Sequence, residues 1–362
     1  MGFDTFLGNP EAVAEVREML RSGHVPGALL FAGPDGVGKR TLARMVAKAQ
    51  VCERGSADFC DQCASCLKAE QMFAAAAEDL ARRQESKDAA RRVEGLVYFD
   101  LQIIEPITKF ILTEQIRQLR TAAYTRPFEL SRRIFIVDDA QTIHWQAVDL
   151  LLKVLEEPPE TTQFVLICPN AFELRSTIRS RCTRIPFQLI DKTIIHDLLT
   201  RERKLSESQI TLATHVAAGS VGRALNFDPA EYQRRRQPWL DFLDSIARGG
   251  SPGSSLDWKA VFDSARALAE NRDDFETTLR LGYSLLSDLI HVLVDSDRDT
   301  LVNIDLVPRL KEWAPRLTIR GIEKLKAGLD QAYRLQIRNV NPQLGFDTLG
   351  IEIMAGHSPS LD

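Results

Sequence analysis

The feature that most limits what this chain can fold into is an apolar run that breaks into glycines and reopens at once as a helix. Gly27 to Ala32 (GALLFA) reads as a buried strand and Gly33-Pro-Asp-Gly-Val-Gly38-Lys39 as a turn. Leu42, Met45, Val46 and Ala49 then mark the apolar face of a helix over Arg40 to Gln50. A strand, a glycine loop and a helix in that order begin a βαβ unit, the context in which G-x4-G-K cradles phosphate groups. Glycines let backbone N–H groups curl around a phosphate, the helix N-terminus adds positive potential, and Lys39 reaches the outer phosphates. Gly33, Gly36, Gly38 and Lys39 are therefore candidate nucleotide-binding residues.

The residue after Lys39 departs from the pattern. Where a Ser or Thr hydroxyl holds Mg²⁺ there is Arg40, and Thr41 comes one position late, about 100° further around a helix. The departure weighs against metal binding and therefore against hydrolysis. The second half of such a site is an acid at the end of a buried strand, and Ile134-Phe135-Ile136-Val137-Asp138-Asp139 supplies it. Asp138 is the candidate Mg²⁺ residue. Asp139 stands where ATPases of this kind carry a water-activating glutamate, one methylene longer. Two aspartates after a strand also suit a helix-capping turn.

Four cysteines, Cys52, Cys60, Cys63 and Cys66, fall in the pattern C-x7-C-x2-C-x2-C. Two C-x2-C steps let thiolates converge on one ion, and the longer loop supplies the fourth corner of a tetrahedron. Zn²⁺ is the expected ligand, with an iron–sulfur cluster and disulfides as alternatives. Four sulfur ligands leave no open position, so such a site is structural. Cys168 and Cys182 stand alone and read as buried thiols.

Further apolar runs at Gly95 to Ile104, Ile134 to Val137, Phe164 to Cys168 and Thr183 to Phe187 alternate with helical patterns, which predicts a parallel sheet covered by helices. Beyond them only helical periodicity remains. Breaks fall at Ala224 to Pro229, read as a domain boundary, and at 249–255, read as a loop. With 362 residues the chain has room for two or three domains. It has no apolar run of membrane-spanning length and no export signal, so a cytoplasmic location is expected. A net charge of −4 weighs against a phosphate-tracking surface over the whole molecule. The triplet Arg234, Arg235 and Arg236 reads as a solvated helix face or a local nucleic-acid contact.

Several segments together resemble the AAA+ clamp-loader family. Leu150-Leu-Leu-Lys-Val-Leu-Glu-Glu-Pro-Pro159 is similar to its helix-ending signature and Ser180-Arg181-Cys182 to its characteristic tripeptide. The cysteine module after the phosphate-loop helix and Gly219-x2-Gly222-Arg223-Ala224-Leu225 extend the similarity over about residues 3 to 228. The resemblance implies an α/β AAA+ P-loop parallel-sheet core over 1–188, containing a zinc module (52–66) and a helical insertion (67–94). It further implies a helical lid over 189–229 and an all-α collar over 230–362. The insertion departs from the family and reads as a solvent-exposed arm or a partner-docking one.

The implied function is that of a stator-like subunit of the DNA polymerase III clamp loader. Its partners would be γ/τ and δ subunits in a hetero-pentamer, with the sliding clamp and primer-template DNA met through the complex. Arg181 would act in trans on ATP bound by a neighbour, since a guanidinium suits a γ-phosphate. Arg223 matches a second sensor on the lid. The position of the first sensor falls at Pro169, with Asn170 one residue on. The rival expectations are a divergent γ/τ-type motor, in which Thr41 binds Mg²⁺ and Asp139 polarises water, and a zinc-dependent nucleic-acid-binding regulator.

Overall fold

The computed structural model describes residues 2–55, 57–88, 92–94, 98–249, 258–269, 275–294, 300–337, 346 and 348. Two compact units emerge, one of residues 1–195 with 219–222, the other of 196–218 with 223–362. The expected loop at 249–255 lies outside the described residues apart from Gly249.

In the first unit, β1 (Ala28–Ala32), β2 (Leu101–Ile104), β3 (Arg133–Val137), β4 (Thr162–Cys168) and β5 (Thr183–Pro186) form one sheet in the order β2-β3-β4-β1-β5. Every pairing in it is parallel. The expected fold class is met: a parallel-sheet α/β unit built around the glycine loop, then helices only among the described residues beyond β5. Strand residues alternate between faces. Leu30, Phe135 and Phe164 share a buried cluster with Ile116 and Leu119 of α4 (Thr113–Ala123) and Leu151 and Val154 of α5 (Val148–Glu156). The Phe135 and Phe164 rings stack 5.6 Å apart across the β3–β4 register.

Before β1, α1 (Pro10–Ser22) starts with proline at its first turn, where the missing N–H is no loss. The helix that follows the glycine loop, α2 (Lys39–Val51), packs on β3 and β4 and buries Leu42, Met45 and Val46. Next comes α3 (Ala64–Glu85), which occupies most of the insertion. It is not a wholly solvent-exposed arm, because Cys66, Ala69, Met72, Phe73 and Ala76 form a buried side and the helix packs on β2.

One ion pair is nearly sealed in the first unit. Asp100, just before β2, meets Arg133 of β3 at 2.8 Å, with side chains 1% and 6% exposed. Asp100 also accepts from the N–H groups of Phe128, Glu129 and Leu130, while Arg133 donates to the carbonyls of Ala122 and Arg126. Burial alone would raise the Asp100 pKa. Those N–H groups and the guanidinium outweigh it, and the carboxyl sits below its ordinary value.

After β5 the chain runs through α6's successors: α7 (Lys192–Glu202), α8 (Glu207–Ala217), α9 (Val221–Leu225) and α10 (Pro229–Gly249), with α6 (Ser176–Arg179) lying before β5. Then come α11 (Trp258–Ala269), α12 (Phe275–Leu293) and α13 (Val307–Ile337), the third of these interrupted at Thr318. Trp239, Phe242, Leu285 and Trp313 centre the core of the second unit. Here the arginine triplet divides: Arg234 and Arg235 pair with Glu231 at the surface, whereas Arg236 is buried against Asp305 and Asn303. Arg236 therefore does not belong to a solvated face. No described helix is long and apolar enough to cross a membrane.

Candidate nucleotide site and metal centre

The glycine loop leaves the carboxyl end of β1, the edge of a parallel sheet at which ligands gather. Gly38 has φ 96° as the residue before α2, and Gly36 has φ 73°, a left-handed conformation that glycine adopts without strain. Gly36 is also needed for space. Its carbonyl accepts from Gly222 N–H at 2.8 Å, and a Cβ at Gly36 would collide with Ser220 Oγ. Lys39 is 6% exposed and its Nζ donates to the carbonyl oxygens of Gly33 at 2.5 Å and Pro34 at 2.7 Å. Its ammonium group is thus held inside the curl of the loop.

Arg40 faces the acids at the strand ends. It pairs with Glu105 and, at 3.6 Å, with Asp138. The sheet register explains why these two carboxylates are neighbours: Ile104 of β2 is paired with Val137 of β3, and Glu105 and Asp138 are the next residues on each strand. Burial raises the Asp138 pKa, and Arg40 acts against that shift. Thr41 lies on the exposed side of α2. Asp139 is exposed at φ 51°, and its carbonyl accepts from Thr142 N–H at 2.8 Å, so it opens the 3-10 turn Ala140–Thr142. The capping-turn alternative therefore describes its backbone.

Asn170 is exposed and its Oδ1 accepts from Phe172 N–H at 3.0 Å, capping the turn Ala171–Glu173. Arg181 Nη2 pairs with Glu156 at 2.5 Å, and Nη1 donates to the Thr177 carbonyl at 2.9 Å. Arg223 lies on α9 and is exposed. Sequence reasoning missed Glu105. Its signal, an acid directly after a buried strand, matches that of Asp138, but which strand lies beside β3 is settled only by long-range pairing.

The four cysteines of the module converge, with all four sulfur atoms within 4.8 Å of one another. Cys52 and Cys60 are 3.7 Å apart, Cys52 and Cys63 4.0 Å, and Cys60 and Cys66 4.0 Å. With metal–sulfur bonds of about 2.3 Å, the edges of a tetrahedron measure about 3.8 Å, so the donor set fits one ion. Two turns donate backbone N–H to sulfur, Cys63 to Cys60 at 3.3 Å and Cys66 to Cys63 at 3.4 Å. The N–H groups of Gln62 and Cys63 pull the Cys60 thiol down to about 6, whereas burial pushes Cys66 up to about 12.

The module is fastened to the rest of the unit. Lys48 of α2 pairs with Asp61 and lies 4.8 Å from the centre of the Phe59 ring. Phe3 packs edge-on against Phe59 at 5.7 Å and donates its N–H to Asp58 at 3.0 Å.

Comparison with known proteins adds ancestry to this geometry. The Bacillus subtilis DNA polymerase III subunit delta′ is 28% identical over 319 residues, which cover 87% of each chain. The Buchnera aphidicola (Acyrthosiphon pisum) DNA polymerase III subunit gamma is 26% identical over 230 residues, 62% of this chain and 57% of that protein. The Escherichia coli subunit tau is 29% identical over 233 residues, 62% of this chain and 32% of its own length. The chain thus spans from about a third to just over half of the gamma and tau relatives it matches. The family model described as DNA polymerase III, delta subunit, matches residues 8–191, just over half of the sequence. The chain belongs to the DNA polymerase III delta-subunit family.

Proposed function

We propose that this chain is the delta′ subunit of a DNA polymerase III clamp loader, a cytoplasmic, stator-like member of a hetero-pentamer with γ/τ and δ subunits. It supports ATP-dependent loading of the sliding clamp onto primed DNA while neighbouring subunits perform most of the hydrolysis. In this reading residues 1–188 are the AAA+ core, 189–229 the lid and 230–362 the collar through which subunits assemble.

The observation that carries this reading over a γ/τ-type motor is Arg40, set against Asp138 and Glu105 at the place where a motor needs a metal-binding hydroxyl. The alignment with delta′ along 87% of both chains supports it. Gly33, Gly36, Gly38 and Lys39 hold phosphates. Arg181 acts in trans on a neighbour's ATP, a role that suits its permanent charge and forked donors. Cys52, Cys60, Cys63 and Cys66 hold Zn²⁺, which fastens the segment after α2 to the first turn of α3 and takes no part in chemistry.

The test is reconstitution. Mixed with γ/τ, δ and clamp, the chain should enter a complex of pentamer mass and raise its DNA-stimulated ATPase, while hydrolysing little ATP alone. Exclusion from the complex, or turnover by the isolated chain as fast as by γ/τ, rejects the proposal.

A further inference from the structure

The charge at the glycine loop does not suit a magnesium ion. Mg²⁺ takes near-octahedral oxygen ligands at about 2.0–2.1 Å, and in P-loop nucleotide hydrolases the protein's share comes from a hydroxyl after the lysine and the strand-end acid. Here the hydroxyl position holds Arg40, which supplies no oxygen, and the strand-end acid is already engaged by it. Thr41, the nearest hydroxyl in the sequence, is on the exposed side of α2. An ion entering between Asp138 and Glu105 would have to displace a guanidinium that stays charged at every physiological pH.

We infer that Arg40 is a built-in replacement for the metal, so that this loop binds a nucleoside di- or triphosphate without any divalent cation. The inference rests on the reading of residues 33–39 as a nucleotide loop and goes beyond it by specifying the form of the ligand. Lys39 and Arg40 are consecutive at the start of α2, so two cations stand at one helix N-terminus. Glu105 and Asp138 hold the guanidinium from one side. Its side chain is 40% exposed, which leaves N–H groups accessible to a phosphate oxygen in the forked geometry that arginine favours. The arrangement supplies forked donors and direction, with the guanidinium charge offset by Glu105 and Asp138, but it polarises no water, which agrees with a subunit that holds nucleotide and does not cleave it.

The experiment is a fluorescence titration of the full chain with mant-ATP and mant-ADP, in excess Mg²⁺ and separately in EDTA. The wild type should give dissociation constants that agree within about threefold between the two conditions. Arg40→Met, which keeps the stem and removes the charge, should weaken binding in EDTA by at least about tenfold. Arg40→Thr should bind more tightly in Mg²⁺ than in EDTA by a similar factor, because it restores a hydroxyl beside Asp138. If Mg²⁺ tightens wild-type binding tenfold, or if Arg40→Met binds as well as wild type in EDTA, the inference is overturned and the nucleotide loop stands. If neither probe binds in either condition, both are rejected. Membership in the loader is read separately, by assembly with γ/τ and δ.

Discussion

Arg181 and Glu156 form an ion pair 2.5 Å long that joins a residue two positions ahead of β5 to the last residue of α5. The two sequence signatures that carry the family resemblance, one ending α5 and the other opening β5, are therefore in physical contact. Glu156 fixes the direction of a guanidinium whose side chain is still a third exposed. In a reconstituted loader, Arg181→Ala should leave assembly intact and lower DNA-stimulated ATPase by at least about tenfold, well within the roughly 10³-fold or more that such arginines supply. Glu156→Ala removes only an orienting pair worth about 1 kcal/mol or less, so its effect should stay below about fivefold. Equal losses in the two variants would contradict an order in which one residue acts and the other aims it.

Cys63→Ser should abolish stoichiometric zinc, measured by mass spectrometry of the metal in purified protein. It should also lower the stability of the first unit by more than about 3 kcal/mol, the range in which loss of a metal falls. Because binding requires thiolates, metal retention should fail as acidification protonates the four sulfurs. A Cys63→Ser variant with full zinc content and unchanged melting would remove the structural role.

These sites were not equally legible in the sequence. The glycine loop, the acid-ended strand and the cysteine cluster announce themselves because each is local: a strand-to-helix transition, an apolar run with an acid behind it, two short ligand spacings. The pairing of Arg40 with Glu105 was hidden, since it depends on β2 lying beside β3, and strands 29 residues apart in sequence are brought together only by the sheet. The same holds for Arg236, whose burial among three consecutive arginines is decided by Asp305 and Asn303 far along the chain.

Asp100→Asn should destabilise the first unit by about 3–5 kcal/mol at neutral pH, because it leaves Arg133 buried without its counter-charge. The pH dependence has a defined sign. Asp100 lies below its ordinary value when folded, so its contribution is fully present above the unfolded carboxyl value, about 3.9. That contribution disappears as the pH falls through the lower folded value. Urea titrations at a series of pH values should therefore show the gap between wild type and variant narrowing below about pH 4. A constant gap would place the effect elsewhere.

Gly36→Ala should cost about 1–3 kcal/mol, from a left-handed backbone and a methyl group driven into Ser220. Adding Ser220→Gly should recover the steric part and leave the backbone part, about 1 kcal/mol. Thermal denaturation of the two single variants and the double variant checks this. Strict additivity would show that Gly36 and Ser220 do not share the space between them.

The anchoring of residues 128–130 by Asp100 extends to the surface. The Phe128 ring is 93% exposed, yet its own N–H and those of the next two residues are gripped by a carboxylate in the interior. An aromatic tip on a slack loop loses freedom when another molecule closes over it. This one stands on a stiff mount, with its ordering completed when the domain folds. A neighbour that covers the ring gains the apolar contact without first having to still the backbone beneath it.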